Sequence, residues 1–98
     1  MNIEIKKNPE ETMIELEGRL DTITAPALDK AINEDIGETT KLVLDLKGLE
    51  YISSAGLRIL LSAQKKMQQI GFMIVTNVRD EVMEVFEMTG FADILHIE

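Results

Sequence analysis

Two short segments near the amino terminus alternate apolar and charged residues. Isoleucines alternate with glutamate and lysine over residues 3–6, and Ile14 and Leu16 alternate with glutamates. The Asn-Pro-Glu-Glu sequence at 8–11, which separates the two segments, is typical of a turn. Because alternate side chains of a strand point to opposite faces, the pattern predicts a two-stranded hairpin whose second strand ends at Gly18.

Three later segments repeat apolar residues at the three- and four-residue spacing of an amphipathic helix. The first helix has Pro26 in its first turn and stops at Gly37. The second opens at residues 53–54 and closes at Gly71, and the third covers residues 80–89, with a glycine cap after it. The residues predicted to face the core are Leu28, Ala31, Ile32 and Ile36 in the first helix, Gly56, Leu60, Ala63, Met67 and Ile70 in the second, and Val82, Val85, Phe86 and Thr89 in the third.

Continuously apolar segments at residues 41–46 and 72–76 predict strands that are covered on both faces, the first of them central in its sheet. Residues 94–97 predict a closing strand. The element order is therefore ββαβαβαβ, an α/β fold in which helices connect the strands of a mixed sheet. Ninety-eight residues suit one compact domain over residues 1–98 and are too few for two.

The charge balance argues against several classes of partner. Ten lysines and arginines against eighteen aspartates and glutamates give a net charge of −8, which repels nucleic acid phosphates and anionic lipid headgroups. No apolar run has the length of a transmembrane helix or of a signal peptide core. The chain has no cysteine for a disulfide or a thiolate nucleophile. We therefore expect a soluble cytoplasmic protein with no nucleic acid partner and no membrane insertion.

Sequence motifs for catalysis, nucleotide binding and metal binding are missing from the chain. It has no Gly-x-Gly-x-x-Gly, no Gly-x-x-x-x-Gly-Lys-Ser/Thr and no His-Glu-x-x-His. Its single histidine, His96, lies in a predicted terminal strand, with neither a nucleophile nor a second metal ligand at a recognisable spacing. The protein is therefore predicted not to be an enzyme and to need no cofactor or metal.

Ser53 and Ser54 place two hydroxyl groups at the start of the second helix, beside backbone amides that have no partner within the helix. One interpretation is a helix N-cap, which stabilises a helix by roughly 1 kcal/mol. The other is a phosphoacceptor, because a phosphate there would meet the helix amides and Arg58, one turn further on. Asp21 also has two interpretations, as a turn former and as a recognition residue.

Three segments of the chain together resemble the STAS domain family of bacterial anti-sigma factor antagonists. They contain Gly-Arg-Leu-Asp at 18–21, Tyr-Ile-Ser-Ser-Ala-Gly-Leu at 51–57 and Met-Thr-Gly-Phe at 88–91. The resemblance implies a mixed sheet packed with helices, and it also implies partner switching. By this resemblance, we expect the unphosphorylated domain to bind an anti-sigma factor that is also a kinase with an ATPase fold, and this binding to release the sigma factor. Phosphorylation of one serine is then expected to break the complex, and a phosphatase to reset the switch.

The chain departs from the family pattern at the phosphoacceptor. In the best-known members the phosphorylated serine or threonine immediately precedes the Gly-Leu pair, and Ala55 occupies that position here. Ser54 and Ser53 are therefore the candidate acceptors. Leu57, in the first turn of the helix, also suits the core. The residues that the resemblance implies for partner binding are Asp21, Thr22, Thr24, Ser53, Ser54, Leu57 and Arg58.

Two other kinds of function are compatible with the same sequence. STAS domains also occur as small subunits of lipid-transport ABC systems and in signalling scaffolds, so a transporter ATPase is a second candidate partner. A module that senses a nucleotide or another anion at the Ser53-Ser54 helix start is the third candidate.

Overall fold

The structure is a computed structural model that describes residues 1–35, 37 and 39–98. The predicted α/β class is confirmed, and the predicted hairpin, helices and apolar strands are present. Ile36, predicted to face the core at the end of the first helix, lies outside the described residues. In chain order, the elements of the described residues are β1 (Asn2–Lys7), β2 (Glu11–Leu20), α1 (Ala25–Asp35), β3 (Lys41–Ile52), α2 (Ser54–Ile70), β4 (Phe72–Thr76), α3 (Asp80–Thr89) and a 3-10 turn (Phe91–Asp93).

The strands of the described chain form a four-stranded mixed sheet in the order β1-β2-β3-β4. β1 runs antiparallel to β2, whereas β3 is parallel to both β2 and β4. α1 and α2 lie in the two crossover connections that parallel neighbours require. β3 is an interior strand in which Leu42, Val43 and Leu44 are all buried, as predicted for a central strand.

The helices pack against one face of this sheet. The core joins alternate strand residues, such as Ile14, Leu44 and Val75, to buried residues of α1, α2 and α3. Burying one large apolar side chain contributes about 1.5–3 kcal/mol, so this shared core holds the helices, and therefore their first turns, on the sheet. Residues buried as predicted are Leu28, Ile32, Leu60, Ala63, Met67, Val82 and Phe86.

Two strand boundaries differ from the prediction. β2 does not end at Gly18 but continues to Leu20, because Gly18 has a φ of 102° at a point where the β2–β3 register shifts. Glycine adopts this conformation without the strain that a side chain would cause. β3 continues to Ile52, beyond the strand predicted at residues 41–46, because Leu49, Tyr51 and Ile52 pair with the last three residues of β2.

The predicted closing strand at 94–97 is wrong in its extent. Within the described residues, pairing with β4 on this side is limited to one parallel bridge between Val75 and Ile97. Two residues predicted to face the core, Ile70 and Thr89, are exposed. Each is the last residue of its helix, so neither is covered by a following turn.

Candidate functional site

The carboxyl ends of β2 and β3 lie side by side at one edge of the sheet. Leu20 pairs with Ile52, the last residue of each strand, and the backbone N–H of Ser53 donates to the carbonyl of Leu20 at 2.9 Å. The loop at residues 21–24 and the start of α2 therefore emerge together. We call residues 21–24 and 53–58 the loop–helix surface.

Asp21 and Thr24 hold the loop part of this surface in one conformation. The Asp21 Oδ1 atom accepts the backbone N–H groups of Ile23 and Thr24, both at 3.0 Å, and Thr24 Oγ1 accepts the Asp21 N–H at 2.8 Å. The Thr24 hydroxyl donates to the carbonyl of Arg19 at 2.8 Å. The structure thus shows the turn-forming role of Asp21, and its role in partner binding stays a prediction.

The same hydrogen bonds change the acidity of Asp21. The N–H of Thr24 lowers the pKa of the Asp21 carboxyl below its ordinary value, against a smaller opposing effect of desolvation. The N–H of Ile23 and the positive charge of Arg19 act in the same direction as Thr24, because each favours the carboxylate over the acid. Asp21 is therefore an anion that is tied into its own loop.

The two serines at the start of α2 have different environments. Ser53 is the N-cap residue, and its Oγ accepts the backbone N–H of Gly56 at 3.3 Å. Ser54 is the first helical residue, is exposed, and makes no side-chain hydrogen bond to the described residues. The N-cap interpretation is therefore confirmed for Ser53, and the Ser54 hydroxyl is left free for another group.

Gly56 allows α2 to begin close against the strand ends. A Cβ atom at this position would lie 2.7 Å from Leu20 Cγ and 2.9 Å from Ile52 Cγ1, closer than carbon atoms normally approach. The absence of a side chain thus permits the close contact that places Ser54 at the edge beside the loop.

The remaining predicted site residues divide between the surface and the core. Thr22 and Arg58 are exposed, and Arg58 lies one turn after Ser54 on the same outward face. Leu57 is only 7% exposed and belongs to the hydrophobic core. Its side chain therefore packs the first turn of α2 against the core and is not available for contact with a partner.

Two residues next to this surface were missed by the sequence interpretation. The Arg19 guanidinium lies over the ring of Tyr51, 4.0 Å from its centroid, because the two residues are paired neighbours on β2 and β3. The sequence contains no signal for this contact, since it depends on the register after two shifts in the β2–β3 pairing.

Acidic groups surround a different concavity. A cavity of about 310 Å³ is lined by carboxylates of β1, β2 and β3 together with Lys47 and backbone at Gly48. None of its lining residues belongs to the loop–helix surface. Within residues 1–35, 37 and 39–98, no group of three or more His, Cys, Asp or Glu side chains is placed to hold a metal ion. No helix in that part of the chain combines the length and apolarity needed to cross a membrane.

Comparison with known protein families gives a match over almost the whole chain. The profile of the STAS domain matches residues 2–98. A protein of Bordetella bronchiseptica, BtrV, described as a candidate anti-sigma factor antagonist, is 39% identical over 85 residues, which cover 84% of this chain and 72% of BtrV.

Solved structures agree with this match at the level of the fold. The crystal structure of an anti-sigma factor antagonist from Mycobacterium paratuberculosis has a TM-score of 0.88 at 24% identity, covering 98% of this chain and 83% of that one. The structure of the Bacillus cell fate determinant SpoIIAA in its phosphorylated form matches with a TM-score of 0.77 at 20% identity. The match covers 99% of this chain and 91% of the SpoIIAA chain.

Proposed function

The chain belongs to the STAS domain family, and from that premise we propose that it is an anti-sigma factor antagonist of the partner-switching type. In the bacterial cytoplasm it binds an anti-sigma factor with a kinase-type ATPase fold and thereby releases the sigma factor. It acts as an interaction module without catalysis and without a cofactor. The observation that carries this proposal is the exposed Ser54 hydroxyl, at a helix start that is fixed beside the 21–24 loop.

The loop–helix surface suits a docking role because it is ordered before a partner arrives. The loop is held by the bonds between Asp21 and Thr24, and the helix start by the cap of Ser53 and the bond to Leu20. Ordering side chains and loops at an interface costs free energy during association. A surface that is already ordered avoids part of that cost, so more of the contact energy stabilises the complex.

Phosphorylation of Ser54 would switch this surface between two charge states. A phosphate adds about −1.5 to −2 charges at neutral pH. Ser54 is favoured over Ser53 because the Ser53 oxygen is engaged with the Gly56 N–H, whereas Ser54 is exposed. Ala55, at the family's usual acceptor position, has no hydroxyl.

The negative charge of a phosphate on Ser54 would be stabilised by groups of this chain and repelled by acidic groups of the partner. A phosphate on Ser54 would meet the amide groups of the first turn of α2, and Arg58 lies one turn away on the same face. Like charges that face each other across an interface weaken binding. The phosphorylated chain would therefore dissociate from a partner whose surface is acidic, and a phosphatase would restore the form that binds.

The test uses the purified chain and each kinase-type anti-sigma factor encoded in the same genome. Calorimetry gives the affinity, and intact-mass spectrometry after incubation with ATP and Mg²⁺ gives the modification. We expect one of these partners to bind the unmodified chain, to add one phosphate and then to dissociate. Ser54→Ala should bind but stay unmodified, and Ser62→Ala, which changes another exposed serine of α2, should behave as wild type.

Each other result has a defined meaning. Failure of the wild type to bind any of these anti-sigma factors would overturn the proposal, and tight binding to a transporter ATPase or a nucleotide would replace it. Modification that persists in Ser54→Ala but disappears in Ser53→Ala would move the acceptor to Ser53. Binding without any modification would support the role as an anti-sigma factor antagonist and would contradict control by serine phosphorylation.

A further inference from the structure

Arg19 and Tyr51 lie beside the loop–helix surface but on the other face of the sheet. Their sequence neighbours Leu20 and Ile52 are buried in the core, beneath the helices. Because alternate strand residues point to opposite faces, Arg19 and Tyr51 project from the helix-free face, where Arg19 is exposed and Tyr51 is 41% exposed. The edge of the sheet thus carries one surface on the helix side and a second on the strand side.

Ile23 projects from the loop part of the loop–helix surface, which is next in sequence to the end of β2. Its side chain is 88% exposed, although the backbone of this loop is held by hydrogen bonds to Asp21 and Thr24. The exposure therefore belongs to an ordered loop and not to a loose one. An apolar side chain held in a fixed position on an ordered loop gains free energy when a partner covers it.

The arginines of the chain differ in whether they have an internal partner. Arg79, at the start of α3, lies 3.7 Å from a carboxylate oxygen of Glu81. In the part of the chain that the structure describes, Arg19 and Arg58 have no carboxylate within salt-bridge distance, although the sequence has eighteen acidic residues. Among the described residues, two of the three arginines therefore form no ion pair that would compete with an outside anion.

We propose that the docking surface extends from Ile23 of the loop–helix surface around the sheet edge onto Arg19 and Tyr51. We call these three residues the Arg19–Tyr51 surface. Its occupant is the surface of the anti-sigma factor, which supplies a carboxylate to Arg19 and an apolar pocket to Ile23. This inference rests on the proposed function, and it assigns residues on the strand side that determine affinity and partner choice.

The chemistry of the three side chains fits this role. Arginine and tyrosine are enriched among the few residues that dominate binding energy in protein interfaces. The Tyr51 ring holds the Arg19 guanidinium in place before binding, so less side-chain entropy is lost when a carboxylate arrives. An acidic partner surface at Arg19 and Arg58 is also one that a phosphate on Ser54 would repel. Acidic groups on the partner therefore explain both the binding of the unphosphorylated chain and its release after phosphorylation.

Matched pairs of substitutions test the Arg19–Tyr51 surface. Arg19→Glu is compared with Arg79→Glu, and Ile23→Ser with Met88→Ser, since Met88 on α3 is 79% exposed. Affinity for the anti-sigma factor that binds the wild type is measured by calorimetry at two salt concentrations. Circular dichroism melting confirms that each variant is folded. A fifth variant, Arg19→Lys, keeps the charge but loses the planar, stacked guanidinium.

We expect Arg19→Glu and Ile23→Ser to weaken binding by at least about tenfold, the effect of a residue that matters in an interface. Arg79→Glu and Met88→Ser should stay within about twofold of wild type, as near-neutral surface positions do. Arg19→Lys should be intermediate, and Arg19→Glu should reduce the salt dependence of binding because it removes an interfacial cation.

The results that contradict this inference are separate from those that contradict the proposed function. If the wild type binds an anti-sigma factor and the Arg19 variants bind equally well, the strand-side extension is not part of the interface whatever Ile23→Ser does, although the function stands. If the wild type binds none of them, both fail together. If Arg19→Glu changes only self-association, seen by analytical ultracentrifugation, the occupant is a second copy of the chain and the inference is overturned.

Discussion

The backbone N–H of Ser53 donates to the carbonyl of Leu20 at 2.9 Å. This single bond joins the residue before α2 to the residue before the 21–24 loop, although the two residues are 33 positions apart in the chain. Because β2 and β3 are also paired up to Leu20 and Ile52, the loop and the helix start cannot move independently without breaking the end of the sheet. The two halves of the loop–helix surface therefore behave as one unit.

Replacement of Ser53 should destabilise the protein, whereas replacement of Ser54 should not. Ser53→Ala removes the N-cap acceptor of the Gly56 N–H and should cost about 1 kcal/mol of unfolding free energy, within a range of about 0.5–2 kcal/mol. Ser54→Ala removes an exposed hydroxyl and should change stability by less than about 0.5 kcal/mol. Urea unfolding measures both. Equal losses in the two variants would contradict the assignment of Ser53 as the cap.

Gly56→Ala should destabilise the protein even though alanine favours helices. The new Cβ would lie 2.7 Å from Leu20 Cγ and 2.9 Å from Ile52 Cγ1, and such overpacking costs about 1–3 kcal/mol. The gain in helix propensity is at most about 1 kcal/mol. Ser62→Ala, on the exposed side of α2, provides the control because it raises propensity without a clash. A Gly56→Ala variant that is more stable than wild type in urea would show that α2 can shift outward freely.

The lowered pKa of Asp21 predicts a specific loss of stability in acid. The unfolded chain lacks the N–H of Thr24 that lowers this pKa, so the folded state binds the Asp21 proton more weakly than the unfolded state does. The stabilising contribution is complete above the ordinary aspartate pKa of about 3.9 and is lost as the pH falls through the lower folded value.

Asp21→Asn keeps an acceptor oxygen but does not titrate. The stability of this variant should therefore fall less steeply than that of the wild type as the pH is lowered from about 5. Thermal melting over a series of pH values measures the difference. An NMR titration that places the Asp21 carboxyl at or above the ordinary aspartate value would contradict the prediction.

The buried hydroxyl pair of Thr12 and Thr39 predicts strong coupling between these residues. The two Oγ1 atoms are hydrogen-bonded to each other, and the residues are 0% and 3% exposed. Thr12→Val leaves the Thr39 hydroxyl buried without its partner and should cost about 1–3 kcal/mol. The double variant with Thr39→Val should recover most of that loss, because both polar groups are then removed. Additive losses in urea unfolding would show that the hydroxyls do not depend on each other.

Most of the local structure could be predicted because its causes lie within a few residues of each other. The apolar spacing of α2 and α3 and the continuous apolar run of β4 predicted these elements closely. The serine pair was likewise identified as a helix start from its neighbours alone. The error at Gly18 has a physical reason, since a glycine in this setting is compatible with either a strand end or a bulge. Which one forms depends on whether a partner strand continues beyond it.

By itself, the sequence determined the α/β class, the sites of helix initiation and the family resemblance, because short-range periodicity, caps and turn residues act through near neighbours. The tertiary structure alone decided that β3 extends to Ile52, that the start of α2 lies beside the 21–24 loop, and that Arg19 stacks on Tyr51. Each of these depends on the register between β2 and β3. That register is set by how distant segments share one core, and the separate segments do not encode it.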